Sequence, residues 1–234
     1  MIEVSQVQTY LIISKKNFTI YLFNKEKLKT LYFQKLDLEN ENNHLDFDNL
    51  NNFLNENIFK IEKLIGNFIK NIFIYLETED IFNINIGLKK NNYEKKLQLN
   101  FLENLLVEAK DLIQENYDKC KISHMIIKKY IVNGKTYTNF ISDLDADNLS
   151  LEINFKCLNE NLLLQITNIL DKYHIKIDKF LDLKYINSLF PDENDDPVLR
   201  FYKVLEGYNQ NEVNLVPNNI KKTGFFEKFF QLFS

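Results

Sequence analysis

The stretch TYLIISKKNFTIYLFNKEKLKTLYFQKLDL, residues 9–38, decides the fold, because it reads as three consecutive β-strands. Its apolar, β-branched and aromatic runs are interrupted at SKKN (14–17) and NKEK (24–27), and such polar breaks are typical of hairpin turns. We therefore predict that the chain begins its sheet with three strands joined by tight turns.

Helices and strands alternate through the rest of the chain. Apolar residues at helical spacing predict helices, short apolar or alternating runs predict strands, and Asn133–Gly134 favours a primed hairpin turn. The predicted elements are a helix over 46–69, a strand over 71–77, a helix over 100–116, a strand-turn-strand over 123–141, a strand over 149–158, a helix over 159–175, a strand over 176–183, a break at 191–197 and a helix over 198–208. This order predicts an α/β (α+β) protein.

Composition narrows the class of protein. The 234 residues are 45% hydrophobic and 26% charged, with a net charge of −4, so a dedicated nucleic-acid binder is not expected. We expect no signal peptide, and no apolar run approaches the ~18 residues that span a bilayer. Cys120 and Cys157 have neither metal-like nor redox-like spacing, so we predict two ordinary thiols in a reducing cytoplasm.

One acidic segment begins like a calcium loop. Asp143, Asp145 and Asp147 have the spacing of the first three ligands, but Asn148 stands where the turn needs Gly and Asn154 where the bidentate Glu belongs. We interpret this segment as a solvated acidic loop.

The remaining acidic and histidine residues show no catalytic spacing. The acids of PDENDDP (191–197) lie in a proline-bounded linker, and His44, His124 and His174 are scattered. The sequence therefore predicts no catalytic residue, no metal and no cofactor.

The C-terminal segment is the one stretch whose residues argue for a function by themselves. On a helical wheel its large apolar residues fall within an arc of about 160°, opposite Glu227, Lys228, Gln231 and Ser234. Two sinks could bury this face: a membrane interface, or a groove on this or another protein. We predict a membrane-binding helix formed by Phe225, Phe226, Phe229, Phe230, Leu232 and Phe233, with Lys221, Lys222 and Lys228 attracted to anionic lipid.

The order of the elements resembles the bacterial cell-division protein FtsA, an actin-like family. The most similar stretch is 121–190, where MIIKKYIVNGK, LSLEINFKC and LLLQITNILDKYHIKIDKFL answer the family's strand-turn-strand, strand, and helix-strand in turn. The resemblance implies a reduced actin-like (RNase H-like) half-domain with an inserted small α+β subdomain. Its implied parts are 1–78 with 182–209 for the half-domain, 79–181 for the inserted subdomain, 210–223 for a tether and 224–234 for an amphipathic membrane-targeting helix.

The nucleotide-binding residues of that family do not carry over. An Asp-x-Gly-Thr/Ser turn is expected after the first strand, but Ile12, Ser14 and Lys15 stand at its Asp, Gly and hydroxyl positions. The second glycine-rich phosphate turn, expected after the strand near 180, is missing from the sequence. The surface for the division-ring polymer FtsZ belongs to the family's second half, which this chain does not match. We therefore expect no nucleotide binding, no enzyme activity and no direct FtsZ contact.

The resemblance implies a membrane-attached adaptor of the division machinery on the cytoplasmic face of the inner membrane. Its expected partners are a full-length FtsA-like protein or later septal proteins, with no nucleic acid. An alternative is an actin-like scaffold of a pilus or secretion system, since NEVNLVP (211–217) is similar to the NLLP strand-forming peptide of such scaffolds' partners. An ATPase is the third hypothesis, which the lost phosphate turns disfavour.

Overall fold

The computed structural model describes residues 6–38, 45–191 and 196–213. The elements within these ranges are β1 (Val7–Ser14), β2 (Asn17–Asn24), β3 (Lys29–Asp37), α1 (Phe47–Ile65), β4 (Asn71–Glu77), β5 (Ile81–Asn91), α2 (Leu99–Asn116), β6 (Cys120–Val132), β7 (Lys135–Tyr137), β8 (Asn148–Asn159), α3 (Glu160–Asp171), β9 (Lys176–Asp182), α4 (Leu183–Leu189) and α5 (Pro197–Leu205). The chain divides into two compact units at the junctions 81/82, 157/158 and 208/209. We call the unit that contains β1 the first unit and the unit that contains α2 the second.

The first unit is built on a five-stranded sheet in the order β3-β2-β1-β4-β9. Strand β2 pairs with β1 and with β3 in antiparallel orientation. Strand β4 pairs with β1 and with β9 in parallel orientation. The predicted three-strand start is confirmed.

Alternating side chains give this sheet two apolar faces. On one face Leu11, Ile13 and Ile74 pack with residues of α1 and α3 in a buried cluster. Helix α1 starts at the N-cap Asp46, whose carboxylate accepts a hydrogen bond from Asn49 N, and ends at Gly66, which takes the left-handed conformation with φ 67°.

The opposite face of the first sheet is aromatic. Tyr10 on β1 and Tyr75 on β4 contact Phe201 of α5, whose ring stacks on Tyr75 with 3.9 Å between centroids. Tyr202 lies against Phe23 of β2, with the ring centroids 5.7 Å apart. Helix α5 therefore covers the face that α1 and α3 leave open.

The second unit is a four-stranded sheet, in the order β5-β8-β6-β7, packed on helix α2. Leu102, Leu106 and Ile113 of α2 join Met125 of β6 and Phe155 of β8 in its core. The turn between β6 and β7 has positive φ at both Asn133 and Gly134, as the primed hairpin requires. The predicted α/β fold, with two sheets and helices on both, is confirmed.

The boundary of the second unit differs from the predicted one. The sequence placed the inserted subdomain at 79–181. In the structure, the part of the second unit inserted into the first unit runs from Phe82 to Cys157. The reason is that α3 packs in the core of the first unit and β9 pairs with β4 of the first sheet. Two elements assigned to the inserted subdomain thus belong to the first unit.

Candidate functional site

The carboxyl ends of the parallel strands β1, β4 and β9 meet at one edge of the first sheet. Ser14 at the end of β1 pairs with Glu77 at the end of β4, and Leu76 pairs with Asp182 at the end of β9. Ligands of open α/β sheets bind at this kind of edge, so it is the candidate site of the first unit.

The turn from β1 to β2 satisfies its own backbone. The Ser14 hydroxyl accepts hydrogen bonds from Lys16 N at 3.2 Å and Asn17 N at 3.0 Å, and it donates to Asn17 O at 2.9 Å. Ser14 is only 2% exposed. A phosphate cradle needs backbone N–H groups directed at the ligand. Here two of those groups are occupied by the serine that stands where the resemblance expects Gly.

The end of β4 is closed in a similar way. Thr78 Oγ1 donates to Asp80 Oδ2 at 2.8 Å and accepts from Asp80 N at 3.2 Å. Glu79 forms an exposed ion pair with Lys184, 2.7 Å between Oε1 and Nζ. The hydrogen bond from Lys184 lowers the pKa of the Glu79 carboxyl, which therefore stays ionised at neutral pH.

The end of β9 runs directly into a helix. The buried Asp182 carboxylate caps α4 by accepting a hydrogen bond from Lys184 N at 2.9 Å. A glycine-rich turn expected here is thus replaced by a capped helix. The edge combines acidic side chains with backbone groups that already have hydrogen-bond partners. This arrangement stabilises the turns themselves and offers few free donors to an anionic phosphate. The sequence analysis did not predict a role for Asp182, although a carboxylate at the end of a predicted strand is a usable signal.

The acidic loop of the second unit spreads its carboxylates over separate partners. Asp143 Oδ1 accepts from Gln98 Nε2 at 3.1 Å, and Asp145 pairs with Lys96 Nζ at 2.8 Å. Across the described ranges no group of three or more His, Cys, Asp or Glu side chains could hold a metal ion.

A second feature lies along β6 of the second unit, where residues 211–213 pair with the strand through an antiparallel bridge between Ile126 and Glu212. Ile127 N donates to Asn211 O and Val213 N donates to Met125 O, each at 2.8 Å. Val213 is 3% exposed in the core of this unit. The sequence analysis placed these residues in a tether from 210 to 223, but side-chain and backbone contacts dock them on the sheet.

A buried polar pair accompanies this docked segment. His124 Nδ1 lies 2.6 Å from Glu212 Oε1, and the histidine side chain is 0% exposed. The sequence gave no sign of this partner for His124, because the two residues are distant in the chain. His44 lies outside the described residues.

The predicted membrane-binding residues also lie outside the described residues. They are Lys221, Lys222, Phe225, Phe226, Lys228, Phe229, Phe230, Leu232 and Phe233. Among the helices of the described ranges, none combines the length and the apolar character needed to cross a bilayer.

Comparison with known proteins gives only distant structural similarity. No protein-family model matches the sequence, and no curated protein matches it. The chain is similar to the cytoplasmic domain of EpsL, an inner membrane component of the type II secretion system of Vibrio cholerae, at 9% identity and a TM-score of 0.36 over 77% of this chain and 57% of that one. It is also similar to a chain of the PilM–PilN type IV pilus biogenesis complex, at 8% identity and a TM-score of 0.47 over 79% of this chain and 49% of that one.

A third similar structure is a protein of Bacteroides thetaiotaomicron with an actin-like ATPase fold and unknown function. The identity is 15% and the TM-score 0.33, over 81% of this chain and 58% of that one. The chain thus spans between 49% and 58% of the length of these three solved structures. The specific resemblance to FtsA stays a prediction.

Proposed function

We propose that this chain is a non-catalytic adaptor of an actin-like fold that holds partner proteins at the cytoplasmic face of a membrane. One observation carries the non-catalytic part: the Ser14 hydroxyl occupies the N–H groups of Lys16 and Asn17 at the turn where a nucleotide phosphate would have to approach. Removing that hydroxyl contact would leave these groups without a partner, so the turn resists opening.

The cell-division role is the first candidate function. It rests on the resemblance over 121–190, which implies an interaction surface in the inserted subdomain and a full-length FtsA-like protein or later septal proteins as partners. The second unit supports a docking role because it has its own helix-on-sheet core. Its partner surface would therefore keep its shape through the packing of this core.

A scaffold of a pilus or secretion system is the second candidate, favoured by a different observation. The segment NEVNLVP is similar to a strand-forming peptide of such systems, and its residue Glu212 forms an antiparallel bridge with Ile126 of β6. In this interpretation the edge of β6 is the surface on which extended peptides are bound.

A thermal-shift titration with Mg-ATP tests the non-catalytic part. A ligand at 100 times its Kd stabilises a protein by ~2.7 kcal/mol, which for a chain of this size corresponds to a rise in Tm of roughly 5–10 °C. We expect no saturable rise for the intact chain. The Ser14→Ala variant should lose about 1–2 kcal/mol of stability, because N–H groups of the turn lose their hydrogen-bond acceptor. Its Tm should still show no saturable rise with Mg-ATP.

A saturable rise with Mg-ATP in the intact chain would show that the turn opens for phosphate and would overturn the proposal. The two candidate systems are separated by co-purification of the intact chain with the FtsA-type protein of the same cell. The control adds a synthetic peptide with the sequence of residues 211–217, in roughly 20-fold excess, to compete for the edge of β6. Co-purification with the FtsA-type protein supports the division role, and its failure removes that candidate. Loss of this binding with the peptide would show that the contact uses strand addition at β6.

A further inference from the structure

The second unit brings its two cysteines together. Cys120 is the first residue of β6, Cys157 lies near the end of β8, and these strands are neighbours in the sheet. The Cys120 side chain lies near enough to Cys157 to influence the pKa of its thiol. Cys157 is 0% exposed, whereas Cys120 is partly exposed at the rim of the same apolar core. The spacing in the sequence gave no hint of this pair, because the sheet creates it.

We propose that Cys120 and Cys157 are an oxidation site and form an internal, reversible disulfide when the protein meets a peroxide. Cα atoms that face each other across neighbouring strands lie about 4.5–5.5 Å apart, within the Cα separation that a disulfide accepts. Two cysteines whose side chains enter one core from neighbouring strands are therefore suitably placed for a disulfide. This inference goes beyond the adaptor function and does not rest on it.

The environments of the two sulfurs assign their roles. Burial, and then the neighbouring Cys120, raise the pKa of the Cys157 thiol well above its ordinary range, so Cys157 is protonated at neutral pH. Cys120, with access to solvent, is the attacking residue. The Cys120 sulfur attacks one oxygen of the peroxide as its thiol proton leaves, the S–O bond forms and the O–O bond breaks. For hydrogen peroxide the leaving hydroxide takes that proton and becomes water.

The second step closes the disulfide. The Cys157 sulfur attacks the sulfur of the Cys120 sulfenic acid, the S–S bond forms and the S–O bond breaks. The hydroxide that leaves takes the Cys157 proton and becomes a second water. Two thiols are oxidised by two electrons in total and one hydrogen peroxide is reduced to two waters.

Hydrogen peroxide treatment of the intact chain tests the proposal. After denaturation and maleimide labelling, we expect both thiols to become unreactive together, the intact mass to fall by two hydrogen atoms, and dithiothreitol to restore both thiols. In Cys120→Ser the buried Cys157 should stay reduced at the same peroxide dose. In Cys157→Ala, with folding checked by circular dichroism, Cys120 should instead accumulate a sulfenic acid that dimedone traps.

Three results would overturn the proposal. One is an intact chain that keeps two reactive thiols while a surface-cysteine control protein is oxidised. Another is equal dimedone trapping of Cys120 in the intact chain and in Cys157→Ala. The third, which does not depend on the folding of a variant, is a disulfide that links two chains rather than the two cysteines of one chain.

Discussion

At the residue scale, Tyr75 places a polar hydroxyl group in an apolar, fully buried environment. It is 0% exposed between Tyr10 and Phe201, and its hydroxyl has no hydrogen-bond partner among the described residues. A buried hydroxyl without a partner costs about 1–3 kcal/mol. We therefore expect Tyr75→Phe to raise the free energy of unfolding by about 1 kcal/mol, measured by urea denaturation at pH 7.

The matched control for this change is Tyr10→Phe. Tyr10 lies in the same aromatic layer, but its hydroxyl donates to Gln8 Oε1. Removing a hydroxyl that has a partner should be neutral or destabilising. Equal effects of the two variants would contradict the assignment of Tyr75 as the unsatisfied group.

Burial of these tyrosines also predicts a loss of stability in alkali. Desolvation raises the pKa of Tyr21 and of Tyr130 to about 12, and it also raises the pKa of Tyr75 well above its ordinary value. Above pH 10 the unfolded chain releases these protons while the folded chain retains them. The stabilisation is therefore complete below pH 10 and is lost as the pH rises, by up to ~1.4 kcal/mol per pH unit for each such group.

Urea denaturation at pH 9, 10 and 11 measures this slope, and Tyr75→Phe provides the comparison. The variant lacks one buried phenol, so its stability should fall less steeply above pH 10 than that of the intact chain. Parallel curves would show that Tyr75 ionises as readily in the folded state as in the unfolded state.

At the element scale, helix α5 packs on the first sheet through the buried ring of Phe201. Phe201 is 1% exposed and stacks on Tyr75. Truncating a buried Phe to Ala costs about 3–5 kcal/mol, through lost burial and the cavity left behind. We expect Phe201→Ala to lower the free energy of unfolding by that amount, measured by urea denaturation.

Phe59 of α1 offers the control with identical chemistry. It is 71% exposed on the outer side of its helix, so Phe59→Ala should change stability by less than about 0.5 kcal/mol. A comparable loss in both variants would mean that Phe59 is covered by something other than the described residues.

Elements with a strong apolar period could be predicted from the sequence, whereas elements fixed by tertiary contacts could not. Helix α1 and strands β1 to β3 have long apolar patterns of their own, and the sequence predicted them. Strand β5 was missed because it is largely exposed, although the alternation of Ile84 and Ile86 with Asn83 and Asn85 was a usable signal. Residues 211–213 show no strand pattern in sequence, and their bridge to β6 depends on a tertiary contact.

The candidate site shows the same division between local and tertiary information. The sequence predicted that Ile12, Ser14 and Lys15 replace the phosphate-binding residues, because residue identity alone decides this. It could not show that Ser14 turns its hydroxyl onto the N–H groups of Lys16 and Asn17, since that depends on the geometry of the turn. Nor could it find the Glu79–Lys184 pair, whose members are brought together by parallel strands.

At the scale of the whole molecule, the predicted membrane attachment depends on residues 224–234. Six large apolar side chains on one face offer on the order of 10 kcal/mol if fully buried, and ordering the segment offsets much of it. Three lysines add about 1 kcal/mol each near an anionic surface. We expect the intact chain to sediment with anionic liposomes, with binding that weakens at high salt, and a chain ending at Pro217 to remain in the supernatant.

Two single substitutions separate burial of the apolar face from charge alone. Phe229→Asp and Gln231→Asp each add one negative charge, on the apolar and the polar side of the predicted helix respectively. The first should abolish sedimentation, whereas the second should weaken binding by only about 1 kcal/mol, the effect of one charge. If the segment instead packs on its own protein, truncation at Pro217 will lower the Tm and liposomes will bind neither chain.

Because Val213 is held in the second unit, eleven residues separate a fixed point from Phe225. Attachment through the apolar face would therefore keep the second unit within roughly 40 Å of the bilayer, the reach of that linker fully extended.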